Sequence, residues 1–101
     1  VTDQPGTAVT VTDNPAENRY EAEVDGRLAG VAEYDLRPGI IVFTHTEVGD
    51  EFGGRGVGSA LVSWALDDVR RSGLRVVPRC PFVAAYMRAH AERYGDLLRS
   101  A

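Results

Sequence analysis

Cys80 is the one cysteine of the chain and lies in the run Val77-Pro78-Arg79-Cys80-Pro81-Phe82-Val83. Proline suits the first position of a helix, so Pro81 predicts a helix start and puts Cys80 at its N-cap. The unpaired N–H groups of that start and the neighbouring Arg79 favour an exposed thiolate, which is the nucleophilic form of the residue. A lone cysteine is otherwise a small core hydrophobe. The two prolines set Cys80 at a junction of elements, where site residues concentrate, and that favours the reactive reading.

A second set of residues suits an anion. The stretch from Val48 to Leu61 contains Gly53-Gly54-Arg55-Gly56-Val57-Gly58-Ser59 and joins an apolar strand to a helical pattern. Glycines allow positive φ and leave no side chain between their N–H groups and a ligand, while a helix start attracts negative charge. A pyrophosphate fits such a turn; the other reading is a plain connector. No Lys-Ser or Lys-Thr follows the glycines, which excludes a P-loop. The second strand and ribose-binding acid of a dinucleotide fingerprint are missing too.

His45 and Glu47 follow Phe43 at alternate positions, which predicts one shared strand face. An imidazole can accept a proton or contact substrate, and Glu47 can orient the ring or attract an amine. A hydrogen-bonded histidine on a sheet face is the alternative. His90 stands among tyrosines at helical spacing and reads as structural, and one cysteine with two distant histidines offers no metal cluster.

The elements that must position these residues follow from period and turn chemistry. Residues 1–6 read as a frayed tail and 7–101 as a single domain. Strands are predicted over 7–12, 19–25, 27–34 and 40–48, with Asp25-Gly26 as a tight hairpin turn and the last of these central in the sheet. From Gly56 the apolar residues Val57, Ala60, Leu61, Trp64, Ala65 and Val69 recur at helical spacing until Gly73 caps the segment. Residues 74–77 make a short strand, and a second helix begins at Pro81. The expected fold is α/β, a mixed and mostly antiparallel sheet with two helices in the order β-β-β-β-α-β-α. Trp64 and the tyrosines read as packing residues.

The chain has 101 residues, 44% of them hydrophobic and 26% charged, which is ordinary globular usage. A net charge of −4 argues against a nucleic-acid binder, although the second half is locally basic. No apolar run reaches a membrane span, and a cytoplasmic location is the simplest expectation for one cysteine and no secretory signal.

The glycine turn resembles the acetyl-CoA loop of the GNAT acetyltransferase superfamily, Gln/Arg-x-x-Gly-x-Gly/Ala at a helix start after a long strand. Gly56 and Gly58 fill the two glycine positions, while Gly53 stands where Gln or Arg is usual. With the hairpin, the His45-Thr46-Glu47-Val48 strand end and the Pro-x-Cys-Pro run, the likeness is to a subgroup of very short GNAT proteins and covers residues 8 to 97. In that subgroup the cysteine is the proposed catalytic residue. The resemblance implies acetyl-CoA or CoA with its pyrophosphate on residues 53–59, its pantetheine beside the backbone of Glu47 and Val48, and its acetyl carbon facing Cys80. It implies an N-acetyltransferase whose acceptor is an amine, a small molecule or a lysine side chain. Cys80 then either carries the acetyl group or assists direct attack by the amine. A CoA-binding module without turnover and a ligand-free interaction domain are the competing readings.

Overall fold

The computed structural model describes residues 9–53 and 56–98. Its order is β1 (Val9–Asn14), β2 (Arg19–Val24), β3 (Arg27–Arg37), β4 (Ile40–Val48), α1 (Val57–Ser72), β5 (Arg75–Pro78), α2 (Pro81–Ala89) and α3 (Ala91–Tyr94). The strands form one sheet in sequence order, antiparallel from β1 to β4 and parallel between β4 and β5. The parallel pair needs a crossover, which α1 supplies. This is the expected mixed sheet.

Local chemistry accounts for the connections. Asp25 (φ 53°) and Gly26 (φ 76°) are both left-handed, as a twist-matched two-residue hairpin turn requires. β1 runs to Asn14, so Asp13 and Asn14 extend the strand beyond the predicted turn cluster and the turn starts at Pro15. The predicted residues 7 and 8 lie outside the described part. Beyond the two expected helices a third, short one follows, because the backbone at His90 leaves helical geometry (φ −123°, ψ 43°). The His90 ring stacks on Tyr86 at 4.3 Å, the structural role its neighbours suggested.

One core holds the layers together. Tyr20, Ala22, Val24, Ala32, Tyr34, Ile41 and Phe43 from the sheet meet Val57, Leu61, Val62, Ala65, Leu66 and Val69 from α1 and Val83, Met87, Tyr94 and Leu97 from the C-terminal segment. Each large aliphatic side chain buried this way stabilises the fold by about 1.5–3 kcal/mol. Tyr94 ties the helices together, its hydroxyl donating to Asp67 Oδ1 of α1 at 3.0 Å. Trp64 is less buried than a packing residue should be: it meets Tyr20 edge-on at 5.9 Å but stays 36% exposed under the Arg71 guanidinium. Helices cover this inner face alone. Val31 and Val42 are buried yet stand outside the core cluster, on the opposite, outer face. No helix among the described residues is long and apolar enough to cross a membrane.

Candidate active site

The site begins where two strands part. β4 and β5 pair from Ile40↔Arg75 to Phe43↔Pro78. The Phe43 carbonyl then accepts the N–H groups of both Arg79 (3.0 Å) and Cys80 (2.9 Å), which turns the chain out of the sheet and into α2. β4 continues over residues 44–48 with β3 on one side only, so a V opens between its end and the start of α2.

A bulge decides what faces that opening. Glu33 pairs with His45 and Tyr34 with Phe43, which leaves Thr44 as the extra residue of the register, its hydroxyl donating to the Glu33 carbonyl at 3.3 Å. One extra residue shifts the alternation of every side chain beyond it. Ile41 and Phe43 point to the inner face before the bulge, and Thr46 and Val48 do so after it. His45 and Glu47 are thereby turned to the outer face, away from Phe43. The shared face expected for Phe43 and His45 is not what the strand builds, whereas that for His45 and Glu47 is: His45 Nε2 lies 3.5 Å from Glu47 Oε1, both side chains exposed.

The same ladder orients the backbone. Gly49 N–H donates to the Ala29 carbonyl at 2.9 Å. Counting back by the two-residue alternation of an antiparallel pair, Glu47 and His45 bond to β3, while the N–H groups of Thr46 and Val48 point away from it into the V. Of the two residues whose backbone is expected beside a pantetheine, Val48 thus has its N–H in the V, whereas the Glu47 N–H is turned to β3.

Cys80 is the N-cap of α2, as its prolines predicted, with Pro81 at the first helical position. Its surroundings differ from expectation. The side chain is 3% exposed and belongs to the core cluster, and it makes no capping bond to the helix. The S–H instead donates across the V to Thr46 Oγ1 at 3.2 Å. Arg79 lies on the other side of the sheet, lining an outer-face cavity with Val42, Thr44 and Val77. Cys80 is therefore buried beside a threonine rather than exposed beside an arginine. Thr46 is the residue that sequence reasoning missed.

The glycine turn is partly as expected. A short 3-10 turn, Asp50–Phe52, buries Phe52 and ends with Gly53 N–H donating to the Asp50 carbonyl at 3.1 Å. That N–H is taken, so Gly53 does not offer it to a phosphate. Gly54 and Arg55 lie outside the described residues. Gly56 caps α1 at φ 74° and no side chain caps that start, nor does its first turn hold an acid. The N–H groups of Val57, Gly58 and Ser59 thus point outward without a helical partner, an arrangement that suits an anion. Gly58 has a second reason to be glycine: a Cβ there would come within 2.7 Å of Phe82 Cζ. The Phe82 ring, from the first turn of α2, lies over the first turn of α1 and is 43% exposed.

The V, the uncapped helix start and the cysteine thus stand at one end of β4, and comparison with known proteins places the fold that holds them. No curated protein matches in sequence. Among solved structures, a GCN5-like protein from Staphylococcus aureus superposes with a TM-score of 0.63 at 22% identity, covering 97% of this chain and 93% of its own. The ribosomal-protein-alanine N-acetyltransferase of Brucella melitensis biovar Abortus 2308 superposes at 0.52 with 23% identity, over 82% of this chain and 63% of that one. The family model described as GCN5-related N-acetyl-transferase matches residues 19–97, and the chain belongs to that family.

Proposed function

We propose that the chain is an N-acetyltransferase that uses acetyl-CoA and an amine acceptor, with Cys80 assisting direct transfer. The observation that carries this reading is the V: Thr46 and Val48 direct N–H groups into it, and the Cys80 thiol stands at its inner wall. Acetyl-CoA supplies an activated thioester carbonyl. The N–H groups of Val57, Gly58 and Ser59 hold the pyrophosphate, and Val48 N–H donates to the thioester oxygen, where negative charge grows during attack. His45, backed by Glu47 on the outer face, takes a proton from the acceptor amine.

The atoms balance. The amine nitrogen forms a bond to the acetyl carbon, the carbon–sulfur bond breaks, His45 Nδ1, the ring nitrogen not facing Glu47, receives the amine proton, and the Cys80 S–H gives its proton to the departing sulfur. The alternative is acetylation of Cys80 itself, and its burial against Thr46 argues for the assisting role. That burial equally supports a second reading, a CoA-binding module without turnover.

Calorimetry with CoA and a single-turnover assay with acetyl-CoA and a primary amine test this reading. Binding with transfer is expected, and binding without transfer would support the module. Intact-mass spectrometry after incubation with acetyl-CoA separates the two roles of Cys80. All eleven basic residues are arginine, so no lysine is present to collect stray acetyl groups. A retained acetyl adduct that disappears in Cys80→Ser would establish the covalent route.

A further inference from the structure

The outer face of the sheet carries a cavity of about 290 Å³ at the apex of the V, floored by Val42 and Val77 and rimmed by Thr44, Asp35, Arg37 and Arg79. Arg37 is paired with Asp35 at 2.7 Å, so those two charges cancel. Arg79 has no such partner. Arg19, Arg27, Arg37, Arg70, Arg71 and Arg93 each have an acidic side chain, and Arg75 donates to the Asp96 carbonyl. Among the described arginines, Arg79 and Arg88 alone have neither; Arg88 lines a separate cavity with Met87, Ala91 and Leu98, and Arg79 lines this one.

The rest of this face has the opposite sign. Tyr20, Ala22 and Val24 face the core, so Glu21 and Glu23 between them face outward, and Glu33 and Glu47 lie on the same side across β3 and β4. Glu21 is held by Arg19 and Asn14, whereas Glu33 and Glu47 flank His45. The face thus carries an uncompensated guanidinium at the cavity, beside Val42 and Val77, and carboxylates around an imidazole further along β3 and β4. A ligand matching it has an anion at one end and an ammonium at the other.

We propose that the cavity is the acceptor's anion subsite and that the acceptor is an amine carrying a carboxylate a few bonds away, an amino-acid-like zwitterion rather than a polyamine. This rests on the N-acetyltransferase reading and adds the substrate class. Arg79 binds the carboxylate; Glu33 and Glu47 draw the ammonium toward His45, where it loses one proton to water and, as the neutral amine, gives the second to His45 on attack. Guanidinium is suited to a carboxylate by its forked donors, and the shallow apolar floor accommodates a short methylene chain.

The test uses matched acceptors, γ-aminobutyrate and butylamine, with acetyl-CoA and with wild-type, Arg79→Gln and Arg88→Gln proteins. Wild type should prefer γ-aminobutyrate in kcat/KM, Arg79→Gln should lose that preference by about tenfold or more, and Arg88→Gln should keep it. An equal ratio in wild type and Arg79→Gln overturns the subsite while leaving acetyl transfer standing. If neither amine is acetylated, a titration of ¹⁵N-labelled protein with γ-aminobutyrate in the presence of CoA decides. Shifts at Val42, Thr44 and Val77 that Arg79→Gln abolishes and butylamine does not produce would uphold the subsite without turnover, and their absence would refute it.

Discussion

The Cys80 thiol donates to Thr46 Oγ1 at 3.2 Å across the gap between β4 and α2, and a single bulged residue, Thr44, is what turns Thr46 toward it. A regular strand would present His45 there instead. The thiol is enclosed, at 3% exposure, so its alkylation by iodoacetamide should be slower in the folded chain than in urea. Thr46→Val removes the acceptor of the bond and should cost about 0.5–1.5 kcal/mol, with Thr46→Ser restoring it. If the S–H serves the departing sulfur, Cys80→Ala should lower kcat by about 10²-fold, whereas Thr46→Val should alter the pH profile of kcat. An unchanged profile in Thr46→Val would reduce Thr46 to packing.

At Gly56 two effects of substitution can be separated. Its φ of 74° is costly for any residue with a Cβ, yet a Cβ there meets nothing within 4 Å. Gly56→Val should therefore lose about 1–2 kcal/mol in a urea titration without a clash, while Gly56→Asn, which tolerates the left-handed region, should lose less. CoA affinity compared in the folded Gly56→Asn protein then reports on the approach of a ligand to the helix start. Wild-type affinity there would move the pyrophosphate away from this turn.

Most of the framework could be read from the sequence because period and turn residues act locally. The Asp25-Gly26 hairpin, the strand from Ile40 to Val48, the helix ended by Gly73 and the N-cap at Cys80 all follow from residues within a few positions of one another. The bulge could not be read so. Thr44 is an ordinary β-branched strand residue, and its place as the extra residue follows from the register of β3 against β4, a relation between distant segments. Everything that depends on it went with it: the inward turn of Thr46, the outward turn of His45, and the separation of His45 from Cys80 by the sheet. The burial of Cys80 is likewise a tertiary result, since its N-cap position alone suited exposure. The N–H of Gly53 was committed to Asp50 by a turn that no glycine pattern announces.

Gly58 and Phe82 should be energetically coupled. Alanine is favoured over glycine inside a helix by about 0.8–1 kcal/mol, but here its Cβ would meet the Phe82 ring. In wild type Gly58→Ala should be neutral or destabilising, and in a Phe82→Ala background it should stabilise by up to about 1 kcal/mol. A double-mutant cycle in urea measures the difference, and additivity would show that the exposed ring moves aside without cost.

Alkaline pH should expose the tyrosine network. Burial first, and then the Asp68 carboxylate that accepts its hydroxyl at 2.8 Å, raise the Tyr20 phenol above its ordinary value; burial and Asp13, at 2.7 Å, do the same for Tyr34. A folded-state pKa raised above the unfolded one means that the folded protein keeps the proton which the unfolded chain releases. The stabilisation is fully present below the unfolded pKa, about 10, and is lost as pH rises from there toward the folded value. Each such tyrosine contributes a slope of about 1.4 kcal/mol per pH unit in that window. With no lysine in the chain, the groups titrating there are few, and urea midpoints taken at pH 8, 10 and 11 should fall steeply only above 10. Tyr20→Phe should be less stable at pH 8 because Asp68 loses its phenol donor, yet its stability should decline more gently above pH 10. Parallel declines in the two proteins would mean that Tyr20 ionises in the fold as readily as in the unfolded chain.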